Sequence, residues 1–360
     1  VGSGTSASAD PLARYLNLAD LEAEAARRLS AAAFAYYAGG AGDERTVADN
    51  RAAFGRWRIV PRVLADVTVR DPSVDVLGRR WPVPLFVAPT ALHRLAHPAG
   101  ELASARAAAQ RGIVFTLSTV ASTDASEVAA VGGPRWFQLY PLADQGRTTA
   151  LLDRVLAAGY EAIVLTVDAP YLGRRERDLR LGFRLPPGVG YPNLAGLGID
   201  PYGQSAFLER LTWPMVETLA ARLPVPLILK GILHPDDARE AFQRGAAAIV
   251  VSNHGGRQLD GAIASLDALP AVVEAAGTLG PILVDGGIRR GTDLLVALAL
   301  GARAVGLGRP ILYGLAVAGE AGVGRVLDLL IAEFDLALAL AGVPRAADLH
   351  RGLLRQSPKP

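Results

Sequence analysis

Short apolar runs rich in β-branched residues recur along this chain, and their spacing limits the fold more than any other feature. The runs are PLFVAP (84–89), IVFTLS (113–118), RWFQLY (135–140), AIVLTVD (162–168), PLILKG (226–231), AAIVVSNHG (247–255), PILVDGG (281–287) and RAVGLGRP (303–310). Each leads through a small or polar residue into an Ala/Leu-rich stretch of helical character. Continuous apolar runs are strands buried on both faces, and helices between them make the strands parallel. Eight such units in about 250 residues predict an α/β fold, the (β/α)8 or TIM barrel. Most run starts lie 21 to 34 residues apart, but the interval from 162 to 226 is about twice as long. It holds LPPGVGYPNLAGLGIDPYGQ, whose glycines and prolines predict a mobile flap over 185–215, after the fourth strand.

The flanks are assigned from their punctuation. The opening VGSGTSASAD is small and polar, and 1–16 reads as a floppy arm or a cloning remnant. Asn17 can cap a helix with apolar positions Leu18, Leu21, Ala25 and Leu29, ending near Tyr36-Tyr37 because Gly39, Gly40 and Gly42 follow. Residues 17–80 then form a helical extension packed on the barrel, within a single domain over 17–350. A helical pattern runs from about Leu315 to Leu340, and 351–360 reads as a frayed tail.

Composition removes several function classes. The chain of 360 residues is 51% hydrophobic with a net charge of +2, too apolar and too neutral for a disordered coil. It has no cysteine, which excludes disulfide scaffolds, thiol nucleophiles and Cys-ligated metals, and no metal site is expected. Basic and acidic residues nearly balance and are scattered, so no nucleic-acid partner is expected. A membrane span needs about 18 consecutive apolar residues, and the run from Ala262 to Ala276 is broken by Ser265, Asp267, Pro270 and Glu274. No basic-then-apolar leader is present, so no membrane partner and a cytoplasmic location are expected. Of 37 basic residues only Lys230 and Lys359 are lysines, and Lys359 lies in the tail. A chain that uses arginine nearly everywhere keeps one compact ammonium in its body, at Lys230.

Function in such barrels sits at the C-terminal strand ends. Here those ends carry Thr90, Ser118, Gln138 with Tyr140, Thr166 with Asp168, Lys230, Asn253 with His254, Asp285 and Arg309. Ser and Thr are ordinary loop residues. Lys, His, Asp and Arg converging on one rim are not. The last two strands end in DGGIRRG (285–291) and GLGRP (306–310), where glycines admit an anion to backbone N–H groups and arginines add charge. The ligand therefore carries a phosphate. After the sixth strand, His254 and Arg257 stand three apart with two glycines between them. Histidine is the natural proton acceptor near neutral pH, and arginine the natural fork for a carboxylate. Asp168 can partner the imidazole and favour its protonated form. Arg174 and Arg175 offer a second fork, with Arg174 read as an ordinary salt bridge.

SNHGGRQLDGA resembles the signature of the FMN-dependent 2-hydroxy acid oxidases and dehydrogenases, the family of glycolate, lactate and hydroxymandelate oxidases and mandelate dehydrogenase. YYAGGAGDERT (36–46), APTALHRLAHPAGE (88–101), FQLY (137–140), LTVDAPYLGRRERD (165–178), LKG (229–231) and DGGIRRGTD (285–293) resemble it in the same order, from about residue 17 to 345. The resemblance implies that His254 is the base, with Asp168 its electrostatic partner. Arg257 and Arg175 hold the substrate carboxylate, helped by the Tyr36 and Tyr140 hydroxyls. Lys230 sits by the flavin N1/C2 carbonyl. Pro89, Thr90, Ala91, Ser118, Gln138, Tyr140, Thr166 and Ser252 line the isoalloxazine and ribityl chain. Asp285, Gly286, Gly287, Arg289, Gly308 and Arg309 hold the ribityl chain and phosphate. It also implies an (S)-2-hydroxy acid oxidase, FMN as cofactor, and a homotetramer.

Small-acid members of the family place a bulky aromatic two residues after the serine of the second strand. Here that position is Val120, so a wider pocket is expected. It suits mandelate, hydroxymandelate or an aliphatic acid such as lactate. Oxygen is the expected acceptor, giving hydrogen peroxide. A dehydrogenase with another acceptor is the alternative, and a barrel isomerase or a non-catalytic flavin binder a remote one.

Overall fold

The computed structural model describes residues 10–195 and 207–357. Eight parallel strands close into a barrel: β1 (Leu85–Val87), β2 (Val114–Ser118), β3 (Arg135–Leu139), β4 (Ile163–Thr166), β5 (Leu227–Ile232), β6 (Ala248–Val251), β7 (Ile282–Asp285) and β8 (Ala304–Leu307). Seven lie inside one of the apolar runs, and β5 continues one residue past its run, to Ile232. Closure is made by β8 on β1, with Val305 opposite Leu85 and Leu307 opposite Val87. Strand residues are buried on both faces because side chains fill the interior and helices cover the outside.

The N-terminal end of the barrel is sealed by aromatics. A hairpin of Val74–Val76 with Arg79–Trp81 precedes β1. It brings Trp81 against Phe86 and Trp136, with ring centroids 5.4 to 6.4 Å apart. On the other side of Phe86, Gly306 lines the opposite mouth, where a Cβ would lie 2.6 Å from the Phe86 ring. With the N-terminal end filled, the opposite mouth is left for ligand.

Asn17 caps the first helix as expected, its side chain accepting from Ala19 N at 2.8 Å and Asp20 N at 3.0 Å. The expected single helix to Tyr36-Tyr37 is two helices, Leu18–Arg28 and Ala31–Ala38. Leu29 is extended, and Ser30 starts the second helix by accepting from Ala33 N at 3.2 Å. A third helix, Arg45–Ala52, lays the extension against the mouth.

Three boundaries differ from the expectation. Residues 1–9 of the arm lie outside the described residues, but Tyr15 is buried and Arg325 donates to its carbonyl at 2.8 Å. Residues 10–16 are thus tied to the body. The tail is not frayed through 351–356: Leu354–Gln356 pairs antiparallel with Trp57–Ile59, and Leu353 and Leu354 are buried. Two buried leucines anchor what its polar last residues suggested was loose. Of the flap, 196–206 lies outside the described residues, while both flanks are pinned. Asn193 is buried and accepts from Ala125 N at 2.8 Å, and Leu208 N donates to Pro141 O at 2.8 Å. The long C-terminal helix, Arg309–Ala341, bends at Ala318 and Gly319, where the backbone leaves helical geometry. No helix among the described residues is long and apolar enough to cross a membrane.

Candidate active site

The polar strand ends meet at the C-terminal mouth around a cavity of about 380 Å³. β5 delivers Lys230, which is buried; its Nζ donates to Ser252 Oγ at 2.9 Å and lies 3.2 Å from Asp285 Oδ2 at the end of β7. A register shift follows at Gly231, whose φ is +115°. A Cβ at Gly231 would lie 2.6 Å from Asp168, so glycine is what lets the carboxylate of the β4 loop approach.

Asp168 reaches His254, with Oδ1 3.0 Å from Nδ1. His254 follows β6 in a left-handed turn, φ +59°, and its Nε2 lies 3.3 Å from the Tyr140 hydroxyl. The tight turn at Asn253-His254-Gly255 aims the far edge of the imidazole into the cavity. Burial lowers the pKa of His254, and Asp168 offsets only part of that, so the ring is neutral near pH 7. For Asp168, burial acts upward, but the imidazole, its hydrogen bond and Lys230 outweigh it and hold the carboxyl ionised. Burial, then Asp168, push the Tyr140 phenol well above its ordinary value, so it stays a donor.

Arginines converge on the same mouth. Arg257 donates to the carbonyls of Tyr36 at 2.6 Å and Gly39 at 2.9 Å, and its guanidinium lies 5.0 Å from the centre of the Tyr36 ring. Arg175 lines the cavity, and its buried Nε has no hydrogen-bond partner among the described residues. Arg174 is exposed and 3.9 Å from Glu176, the ordinary ion pair expected of it. Arg309 donates to the carbonyls of Tyr37, Gly39 and Gly255 at 2.8 to 2.9 Å, which binds the His254 turn to the helical extension. Three of its five N–H groups are used this way. Its pKa is pushed down to about 9 by burial, then by the charges of Arg257, Arg289 and Arg51.

The remaining expected residues also line this mouth: Pro89, Thr90, Ala91, Ser118, Val120, Gln138, Thr166, Gly286, Gly287, Arg289 and Gly308. Gln138 is oriented by its neighbours, accepting from Ser118 Oγ at 2.9 Å and donating to Thr166 Oγ1 at 3.1 Å. Ser252 is fully buried beneath the cavity, between Lys230 and the His254 N–H, which donates to its hydroxyl at 3.1 Å. The helix Arg45–Ala52 adds Val47, Asn50 and Arg51, none of them singled out from sequence. Asn50 and Asn253 exchange two amide hydrogen bonds of 2.8 Å, which locks that helix to the β6 loop. The available signal was a helix whose buried residues, Thr46 and Asn50, are polar. Leu172, Tyr191, Phe207 and Glu209 complete the outer wall, and they too were not anticipated.

A phosphorylated flavin fits this donor set. Asp285 Oδ1 and Arg289 Nε are buried with no hydrogen-bond partner among the described residues, though Glu22 stands 3.8 Å from the latter. Burial, then Arg51, disfavour charge on Arg289, so a dianion beside it relieves the repulsion among these guanidinium groups. At Gly287, φ +85°, a Cβ would lie 2.0 Å from Asn50 O, so glycine is what lets the helix Arg45–Ala52 pack against the turn after β7. When bound, FMN supplies the electron acceptor. Asp285, Arg289, Arg309 and the Gly286-Gly287 turn are the residues that would hold its ribityl phosphate.

The same assignment comes from comparison with known proteins. The family model for FMN-dependent dehydrogenases matches residues 25–356. The chain is 50% identical to the L-lactate oxidase of Nostoc sp. over 94% of its own length and 98% of the relative's. It is 47% identical to the 4-hydroxymandelate oxidase of Amycolatopsis orientalis, covering 91% and 95%. The crystal structure of a mandelate oxidase superposes with a TM-score of 0.91 at 45% identity, over 96% of this chain and 100% of the other. A cationic, imidazole-bearing mouth on this barrel, matched over nearly the whole of both chains, makes this protein a member of the FMN-dependent dehydrogenase family.

Proposed function

We propose that the protein oxidises a 2-hydroxy acid to the 2-oxo acid, with dioxygen taking the electrons and leaving as hydrogen peroxide. The observation that carries this reading is the His254–Asp168 pair opening on the same cavity as Arg175 and Arg257. Two guanidinium groups fork the substrate carboxylate. His254 Nε2 accepts the proton of the substrate hydroxyl. Asp168 then stabilises the imidazolium through Nδ1–H, and the Tyr140 hydroxyl donates to the substrate oxygen. Lys230 places a buried ammonium where negative charge accumulates. Names of the relatives support an oxidase, since lactate and hydroxymandelate oxidases are among them. A decisive test is anaerobic mixing of the yellow protein with a panel of 2-hydroxy acids. Bleaching followed by rapid recolouring in air, with one peroxide per turnover, is expected. A reduced flavin that persists for minutes in air makes the protein a dehydrogenase with another acceptor.

We further propose a bulky substrate, mandelate-like, or an aliphatic one such as lactate. Val120 is half-buried on the cavity, whose lining also includes the apolar side chains of Leu172, Tyr191 and Phe207. Val120→Trp should raise kcat/KM for glycolate relative to mandelate by about tenfold or more, because a bulky side chain excludes the larger acid. Equal kcat/KM for the two acids in the unaltered enzyme would count against the assignment. Arg257→Met should raise KM roughly 10- to 100-fold, the value of a charged hydrogen bond, and lower kcat less. Steady-state kinetics with the preferred acid check this. A cytoplasmic tetramer belongs to the same reading, and sedimentation of the holoenzyme tests its stoichiometry.

A further inference from the structure

We propose that His93 turns the Thr90 hydroxyl into a hydrogen-bond donor facing the cofactor cavity, and so acts as a positioning residue for the redox reaction. His93 lies in the turn after β1 and is only 1% exposed. Its Nε2 is 2.6 Å from Thr90 Oγ1, and its Nδ1 is 3.0 Å from Ser104 Oγ on the helix Gly100–Ala109. Thr90 lines the cavity, whereas Ser104 is fully buried. Among the described residues the Ser104 hydroxyl has no other hydrogen-bond partner. The neighbouring Glu101 carboxylate is fully buried as well. It already accepts from the N–H groups of His93 and Ser122 and the hydroxyls of Ser122 and Thr123, at 2.7 to 3.1 Å.

Hydrogen accounting then decides the tautomer. A neutral imidazole has one donor and one acceptor. With the hydrogen on Nδ1, the Ser104 hydroxyl hydrogen would be buried without an acceptor. With the hydrogen on Nε2, Ser104 donates to Nδ1, and Nε2–H donates to Thr90. The Thr90 hydroxyl hydrogen is left only the cavity to point into. Every buried donor is satisfied in that arrangement and in no other. Resting on the reading of the cavity as an FMN site, a donor there faces the acceptor atoms of the isoalloxazine and favours added electron density.

The chain has five histidines, so a long-range 1H–15N spectrum of the holoenzyme resolves them, and the signals lost in His93→Gln identify His93. Nδ1 bare and Nε2 protonated is the expected result. The opposite tautomer, or an imidazolium, overturns the proposal, and neither outcome depends on substrate turnover. The midpoint potential of bound FMN gives a second readout. His93→Gln keeps the polarity, its amide donating to Thr90 and its carbonyl accepting from Ser104, and should leave the potential unchanged. Thr90→Val and His93→Leu should both lower it, and together by no more than either alone. An unchanged potential in Thr90→Val, or additive shifts in the double variant, sinks the proposal even if His93→Leu fails to fold.

Discussion

His254→Ala is expected to leave FMN bound while slowing its reduction by a 2-hydroxy acid by roughly 10²- to 10⁴-fold, the contribution of a positioned base. The flavin-holding residues on β1, β7 and β8 do not depend on the imidazole, so the protein stays yellow. The base must be neutral to accept a proton. Burial depresses its pKa below the ordinary 6.5, with Asp168 opposing. The acidic limb of kcat/KM should therefore lie below that value. Asp168→Asn removes the opposing charge, moves the limb further toward acid, and slows reduction because the imidazolium loses its partner at 3.0 Å. Stopped-flow reduction across pH measures both effects. Near-normal reduction in His254→Ala would reassign the base.

Lys230→Met should weaken FMN binding and slow reduction by about 10²- to 10³-fold, as for loss of one preorganised charge-stabilising donor. The structure adds a complication. Lys230 and Asp285 are both buried and 3.2 Å apart, so removing the ammonium strands a carboxylate in a dry site. Breaking such a pair costs about 3–5 kcal/mol of stability. The double variant Lys230→Met with Asp285→Asn should recover much of that stability without recovering the reduction rate. Thermal unfolding and rapid-mixing measurements on the two variants separate the roles. Recovery of the rate in the double variant would show that Lys230 acts only through Asp285.

The barrel was legible because its signal is local. Each strand is a continuous apolar run, each is followed by a polar residue, and alternation with helical stretches admits one closed architecture. The rim followed from the same pattern: the polar residue just past an apolar run must emerge at one mouth. Lys230 stood out by being the single lysine in the body of the chain. The contribution of the helix Arg45–Ala52 was not legible, because nothing in its residues reveals that Asn50 will pair with Asn253, 203 residues away. The anchored 351–356 segment escaped notice for a similar reason, since its pairing partner, Trp57–Ile59, lies at the other end of the chain.

By itself, then, the sequence determined the number and order of strands, the mouth at which chemistry is done, and the residue types gathered there, since periodicity and composition are properties of consecutive residues. Only the tertiary structure decided which of those groups touch. Asp168 meets His254 across 86 residues because the barrel closes in one register and Gly231 bulges to admit the carboxylate. Arg309 holds the His254 turn through carbonyls of a helix that sequence placed merely alongside. Contact distances are set by closure, register and backbone bends, and those depend on the whole chain at once.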